Sequence, residues 1–222
     1  HRFIPKALEL GASVILCETV PEGEFPYVQI ADCRLGLALV SSAFFGYPSR
    51  EMTMIGITGT NGKTTSSYLM KHILETALGA KVGLIGTNGN WIGDEYLHSD
   101  RTTPESNELQ KLFRQMADAG CTHVVMEASS HSLTLERVAG IHFAVAIYTN
   151  LTQDHLDFHG SMEAYAEAKR KLFAMCDTAC VNIDDPWATF MEEGASCRLY
   201  RFSAVENNAD LTAKDIRLYA DR

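Results

Sequence analysis

Residues 55–65, Ile-Gly-Ile-Thr-Gly-Thr-Asn-Gly-Lys-Thr-Thr, constrain this chain more than any other segment. An apolar strand, Met54–Thr58, runs straight into a glycine-rich turn, and the turn opens a helix at Lys63-Thr64. Glycines let a backbone fold its N–H groups inward, and a helix N-terminus adds partial positive charge, so the combination cradles phosphate. In that reading Lys63 reaches the β/γ-phosphates of a nucleotide and the Thr64 hydroxyl takes a place on Mg²⁺. The spacing departs from the common GxxxxGK[ST] pattern, because Gly56 comes one residue too early and Gly59 two too late.

From Met52 onward short apolar strands alternate with helical segments. Strands are expected at 54–58, 82–85, 123–126, 143–149, 179–183 and 199–202, and helices at 63–78, 104–119, 162–176 and 186–193. Leu109, Leu112, Phe113, Met116 and Ala117 make an i, i+3, i+4, i+7 stripe on the second helix. Such alternation implies an α/β fold whose mainly parallel sheet is covered on both faces. Upstream, residues 1–48 hold a short helix (5–10), a strand (13–17) and an apolar helix-like run (35–45). Tyr47-Pro48-Ser49-Arg50 reads as an extended, solvated linker. The tail 210–222 reads as a strand without a closing partner, so the chain is expected to stop inside a domain. It also opens at His1 and not Met, which suggests residues upstream.

Composition narrows the function. Nineteen Lys+Arg against 28 Asp+Glu give a net charge of −9, which argues against coating nucleic acid or an anionic membrane but not against holding one nucleotide. The longest apolar run, 35–46, is interrupted by two serines and falls short of the ~18 residues a membrane span needs. Six scattered cysteines show neither CxxC nor zinc spacing and read as buried thiols in a reducing compartment. A soluble, cytosolic, globular protein is expected.

Three further positions carry chemistry. Glu127 ends an apolar strand, where the ligand crevice of an open α/β sheet lies, and a carboxylate there can hold Mg²⁺ or simply face solvent. Thr149–Gly160 places two Asp and two His, among them His155, after another strand end. On the helix that follows, Lys169 falls in phase with Met162, Tyr165, Leu172, Phe173 and Cys176. A lysine there must snorkel, pair with an acid or be chemically altered, because burying a bare ammonium is costly. Arg170 and Lys171 fall off the stripe and read as solvated charge.

Taken together, 59–65, Thr102-Thr103-Pro104, Glu127-Ala-Ser-Ser-His-Ser-Leu133 and Asn150-Leu-Thr-Gln-Asp-His-Leu-Asp-Phe-His-Gly160 followed by Ala168-Lys169 resemble the ATP-dependent muramyl ligases. Within that family the match is to the members that add the third peptide residue, and His1–Ala12 resembles the end of the family's UDP-binding domain. The resemblance implies that residues 1–48 close the UDP-binding N-terminal domain and 49–222 form the central ATP-binding domain, incomplete at its end. It implies cytoplasmic synthesis of peptidoglycan precursors by a monomer. By the same resemblance, ATP would phosphorylate the D-Glu carboxylate of UDP-N-acetylmuramoyl-L-alanyl-D-glutamate, and a diamino acid (meso-diaminopimelate or L-lysine) would attack the acyl phosphate, releasing phosphate. By position, Gly59, Thr60, Asn61, Gly62, Lys63, Thr64 and Thr65 hold ATP, and Thr64 and Glu127 share one Mg²⁺. His155 and a carbamylated Lys169 would serve a second Mg²⁺, and Thr102, Thr103, Ser129 and Arg137 the muramoyl peptide. The front of the N-terminal domain and the whole C-terminal domain of the family have no counterpart here, which leaves the diamino acid open and the isolated chain inactive. Two alternatives stand beside this one: a folylpolyglutamate synthase, expected to lack Thr-Thr-Pro and the Asp-His-Leu-Asp-Phe-His-Gly run, and a nucleotide-binding module without catalysis.

Overall fold

The computed structural model describes residues 2–205 and 208–217. Helix α1 (Ile4–Glu9) carries Pro5 in its first turn, where a missing N–H leaves no intrahelical bond unmade. Strands β1 (Ile15–Cys17) and β2 (Tyr27–Gln29) pair in parallel as a separate two-stranded sheet. β2 is exposed along its whole length, so it lacks the alternation that would reveal it in sequence. Helix α2 (Cys33–Phe44) starts at Asp32, whose Oδ1 accepts from the backbone N–H groups of Arg34 and Leu35.

Residues 47–50 are not the extended, solvated linker expected. Pro48–Glu51 form a 3-10 turn with Pro48 and Ser49 buried. Proline's fixed φ suits the start of such a turn as well as it suits extension. The turn is clamped by Arg114, whose two terminal nitrogens reach the Glu51 carboxylate at 2.6 and 3.0 Å.

The remaining elements are β3 (Thr53–Thr58), α3 (Lys63–Leu78), β4 (Val82–Gly86), β5 (Gly89–Ile92), β6 (Glu95–Leu97), α4 (Ser106–Asp118), β7 (His123–Glu127), α5 (Ser130–Thr134), β8 (Phe143–Tyr148), α6 (Leu156–His159), α7 (Met162–Arg170), β9 (Cys176–Asn182), α8 (Ala188–Glu192), β10 (Arg198–Ser203) and β11 (Leu211–Thr212). Among the described residues their strands form one nine-stranded sheet, ordered β11-β10-β9-β8-β3-β7-β4-β5-β6. All neighbours run parallel except β4–β5 and β5–β6. The antiparallel β5–β6 ribbon was not expected, and β11 does find a partner, since Leu211 and Thr212 pair with β10. Residues 213–217 of the expected terminal strand are irregular, and 218–222 lie outside the described residues.

Both faces of the sheet are covered, as the alternation implied. Ile55, Ile57, Val82 and Val125 pack beneath Met70 and Leu74 of α3. The opposite face holds the larger core, with Met54, Met126 and Phe143 against α4 and α7. On α4, Leu109, Leu112, Phe113 and Met116 are buried as the stripe predicts, each contributing about 1.5–3 kcal/mol relative to exposure. Glu105 and Glu108 close a capping box at its start. The α-helix expected over 162–176 stops at Arg170. Residues 171–175 tighten into a 3-10 turn, because the chain enters β9 at Cys176, three residues earlier than predicted.

Candidate active site

The strand order sets the site. The chain passes from β3 to β4 and back to β7 on one side of β3, then crosses to β8 on the other. Ligands in open α/β sheets bind beyond the carboxyl ends of strands at such a reversal. The segments leaving β3, β7 and β8 carry the glycine loop, Glu127 and residues 149–160.

The glycine loop is held from outside itself. Thr60 N–H donates to the Asn150 carbonyl at 2.8 Å, and Asn61 N–H to Asn150 Oδ1 at 3.0 Å. The Asn61 carbonyl accepts from Thr149 Oγ1 and Asn150 Nδ2, and Thr152 N–H donates to Thr60 Oγ1. Gly59 has φ +143°, and a Cβ built there would lie 1.9 Å from Thr149 Oγ1, so only glycine lets the two segments touch. Segment 149–152 is fixed in turn by buried Asp185, which accepts from Leu151 N–H at 3.0 Å and from the Tyr148 hydroxyl at 2.6 Å.

Two lysines meet at this loop. Lys63 Nζ donates to the carbonyls of Gly59 (2.9 Å) and Thr60 (2.8 Å). Lys169, 1% exposed, donates to the same Gly59 carbonyl at 2.7 Å and lies 4.3 Å over the Tyr165 ring. Burial, then the neighbouring Lys63 cation, pulls the Lys169 ammonium down to about 7, against the Asp154 carboxylate. Burial likewise lowers Lys63, opposed by Glu127 and Asp154. Lys169 therefore does not snorkel. Of the two charges expected to be solvated, Lys171 is half exposed, whereas Arg170 is largely covered, paired with Glu167 and stacked on Phe190.

Glu127 is 0% exposed, which overturns a solvent-facing reading. Thr87 donates to it twice, through its N–H to Oε1 and its hydroxyl to Oε2, both at 3.1 Å. Thr103 Oγ1 donates to the Glu127 carbonyl at 2.8 Å and lies 3.3 Å from Ser129 Oγ. Arg137 donates to the Thr103 carbonyl at 3.2 Å and pairs with Glu105 at 2.8 Å. The structure thus brings Thr102, Thr103, Ser129 and Arg137 together beside Glu127, the Thr102 hydroxyl lying 3.0 Å from that of Thr87.

His155 lies in the left-handed region (φ 51°), with Nε2 3.5 Å from Asp154 Oδ2. Its ring meets those of His131 (4.8 Å) and Tyr165 (6.2 Å) edge-on, so His155 and Lys169 flank one tyrosine. Burial and neighbouring imidazoles lower His131 and His159. Among the described residues no three His, Cys, Asp or Glu side chains group as a metal cage. The donors fit a Mg²⁺ held mainly by phosphate oxygens and water with one or two protein ligands, and an ammonium at Lys169 is not such a ligand.

Sequence reasoning missed Thr87 and the role of Tyr165, whose hydroxyl lies 3.3 Å from Thr60 Oγ1. Thr87 stands in a hairpin turn without periodicity, and Tyr165 reads as core.

Residues 57–222 match the family described as "Mur ligase middle domain". The chain is 47% identical to UDP-N-acetylmuramoyl-L-alanyl-D-glutamate–2,6-diaminopimelate ligase of Clostridium botulinum over 99% of its own length and 46% of that protein. It is 49% identical to the protein of that name in Chlorobaculum tepidum, covering 86% of this chain and 39% of that one. The chain therefore spans less than half the length of these curated relatives. A solved structure of a 2,6-diaminopimelate ligase of the same name superposes with a TM-score of 0.83 at 32% identity, over 95% of this chain and 44% of that one.

Proposed function

The chain belongs to the Mur ligase family, and on that premise we propose that it is part of an ATP-dependent ligase joining 2,6-diaminopimelate to UDP-N-acetylmuramoyl-L-alanyl-D-glutamate in cytoplasmic peptidoglycan precursor synthesis. Residues 1–48 then close a UDP-binding domain, and 49–222 belong to the central ATP-binding domain. The observation that carries this reading is the meeting of Lys63 and Lys169 on one loop carbonyl, across from buried Glu127 and the Thr102, Thr103, Ser129, Arg137 group.

Two cations around a single carbonyl repel each other, and among the described residues no carboxylate pairs with either. A polyphosphate entering the loop supplies an anion, so Lys63 would leave the Gly59 and Thr60 carbonyls for phosphate oxygens. The Thr60 and Asn61 N–H groups are taken by Asn150, so the N–H groups of residues 62–65 at the α3 N-terminus would hold the remaining charge. During phosphoryl transfer to the D-Glu carboxylate, Lys63 offsets the charge that develops on the transferring group. Mg²⁺, when bound, would neutralise phosphate charge, with Thr64 and Glu127 as the residues to hold one ion and His155 a second.

Lys169 answers its burial chemically. An amine lowered to about 7 is substantially neutral at physiological pH, the form that adds CO₂, and the resulting carbamate is anionic. That product removes the clash with Lys63 and provides a carboxylate-like ligand beside His155. Thr102, Thr103, Ser129 and Arg137 would anchor the peptide arm so that its carboxylate faces the loop.

The test uses the full-length protein: phosphate release from ATP with the muramoyl dipeptide and 2,6-diaminopimelate or L-lysine, beside a folate-plus-glutamate arm. Turnover that requires the dipeptide and 2,6-diaminopimelate is expected. Turnover only with folate would establish a folylpolyglutamate synthase, and nucleotide binding without turnover a non-catalytic module.

A further inference from the structure

Thr87 occupies the two-residue turn of the β4–β5 hairpin and touches both halves of the site. Its N–H and hydroxyl hold the two oxygens of Glu127, and the same hydroxyl lies 3.0 Å from Thr102 Oγ1. The fit is built into the strand end. A Cβ on the preceding Gly86 would come 2.3 Å from Glu127 Oε1, so any side chain there would push the carboxylate from its present position.

A threonine hydroxyl has one proton to give. Thr87 gives it to Glu127, so the proton in the Thr87–Thr102 contact comes from Thr102. The two bonds form a directed chain: Thr102 O–H to Thr87 Oγ1, and Thr87 O–H to Glu127. With its proton turned away, the Thr102 oxygen offers the crevice lone pairs only.

We propose that Thr87 is a positioning residue that fixes the Glu127 carboxylate and, through the same hydroxyl, makes Thr102 a hydrogen-bond acceptor, selecting an amide N–H of the peptide arm over a carboxylate or phosphate oxygen. This rests on the reading of Thr102 as a peptide contact. A merely structural Thr87, present only to satisfy a buried acid, would leave peptide recognition unchanged.

The experiment uses the full-length protein with Thr87→Val, Thr87→Ser, Thr102→Val and the Thr87→Val/Thr102→Val double variant. Equilibrium binding of UDP-N-acetylmuramoyl-L-alanyl-D-glutamate is measured by calorimetry, without turnover. Each valine variant should bind about tenfold more weakly, roughly one hydrogen bond. Thr87→Ser should stay within about twofold of wild type. The double variant should be no more than about threefold worse than either single, because both break one chain. Losses that multiply to about a hundredfold would overturn the proposal, as would unchanged affinity in Thr87→Val.

Polarity is tested with two ester analogues, each replacing one amide N–H of the peptide arm by oxygen. Wild type should discriminate against one of them by about tenfold, and Thr87→Val should not. Equal binding of both esters and the amide by wild type overturns the acceptor assignment. A separate arm follows Mn²⁺ on the nucleotide-bound protein by electron paramagnetic resonance. Several-fold weaker retention in Thr87→Val but not Thr87→Ser supports the hold on Glu127, and equal retention refutes it. Should wild type bind nucleotide but no peptide, the functional reading fails while this arm still judges Thr87. If Thr87→Val does not fold, Thr87→Ala takes its place in every arm.

Discussion

Lys169→Met gives the sharpest test of the site's electrostatics, because wild type should gain stability from this position as pH rises and the variant should not. In the folded protein the Lys169 pKa is lowered from 10.5 to about 7, chiefly by burial. Below pH 7 the amine is protonated both folded and unfolded, and the full cost of burying it is present. Between pH 7 and 10.5 the folded state sheds the proton while the unfolded chain keeps it, so stability rises with pH; above 10.5 the cost is gone. From pH 6 to pH 9 the change corresponds to about two pKa units, or roughly 2–3 kcal/mol. For a chain of this size that is about 5–10 °C in Tm. The substitution orphans little, since the Gly59 carbonyl still accepts from Lys63. Melting curves at pH 6 and pH 9, in CO₂-free buffer without nucleotide, should therefore show Lys169→Met gaining on wild type by that amount at pH 6 relative to pH 9. Added bicarbonate at pH 8 should raise the wild-type Tm and leave the variant unmoved. Parallel pH profiles would refute the argument that Lys169 is buried as a bare amine.

Other expectations follow from the same geometry. Lys63→Ala in the full-length enzyme should leave less than about a tenth of wild-type kcat, a loss above ~1.4 kcal/mol, measured by phosphate release. Arg137→Ala should act mainly on KM for the muramoyl peptide, raising it about tenfold, because an anchoring cation binds ground and transition states alike. A collapse of kcat with KM unchanged would show that Arg137 has been misassigned. Gly59→Ala should lower stability by about 2 kcal/mol or more and abolish retention of a fluorescent nucleotide, since its Cβ would overlap Thr149 Oγ1 at 1.9 Å.

What the sequence made legible is what local pattern encodes. The β3–loop–α3 unit shows because strand, glycines and Lys-Thr are contiguous, and Lys169 because its phase on one helix is a matter of counting residues. Glu127 could be placed at a strand end, but its burial could not be read, because the group that holds it is Thr87, forty residues earlier in a turn. Residues 47–50 misled because proline and serine say the same thing in a solvated linker as in a packed 3-10 turn. Arg114, sixty-three positions beyond the Glu51 that ends the turn, is a partner that local pattern does not show. β2 and the β5–β6 ribbon escaped because short edge strands owe their form to a neighbour more than to their own residues.

The dependence of the glycine loop on residues 149–152, and of those on Asp185, has a consequence during synthesis. Translation delivers 55–65 early, complete in sequence, but the partners that give it shape emerge some ninety residues later, and Asp185 later still. Over that interval the nascent chain carries the whole phosphate-binding signature without the cradle. In the folded structure β8 lies beside β3 and β9 carries the Asp185 segment alongside, so the loop has its full set of partners only once those strands have been made. A chain that stops before residue 185 lacks the bond that fixes the segment shaping the loop.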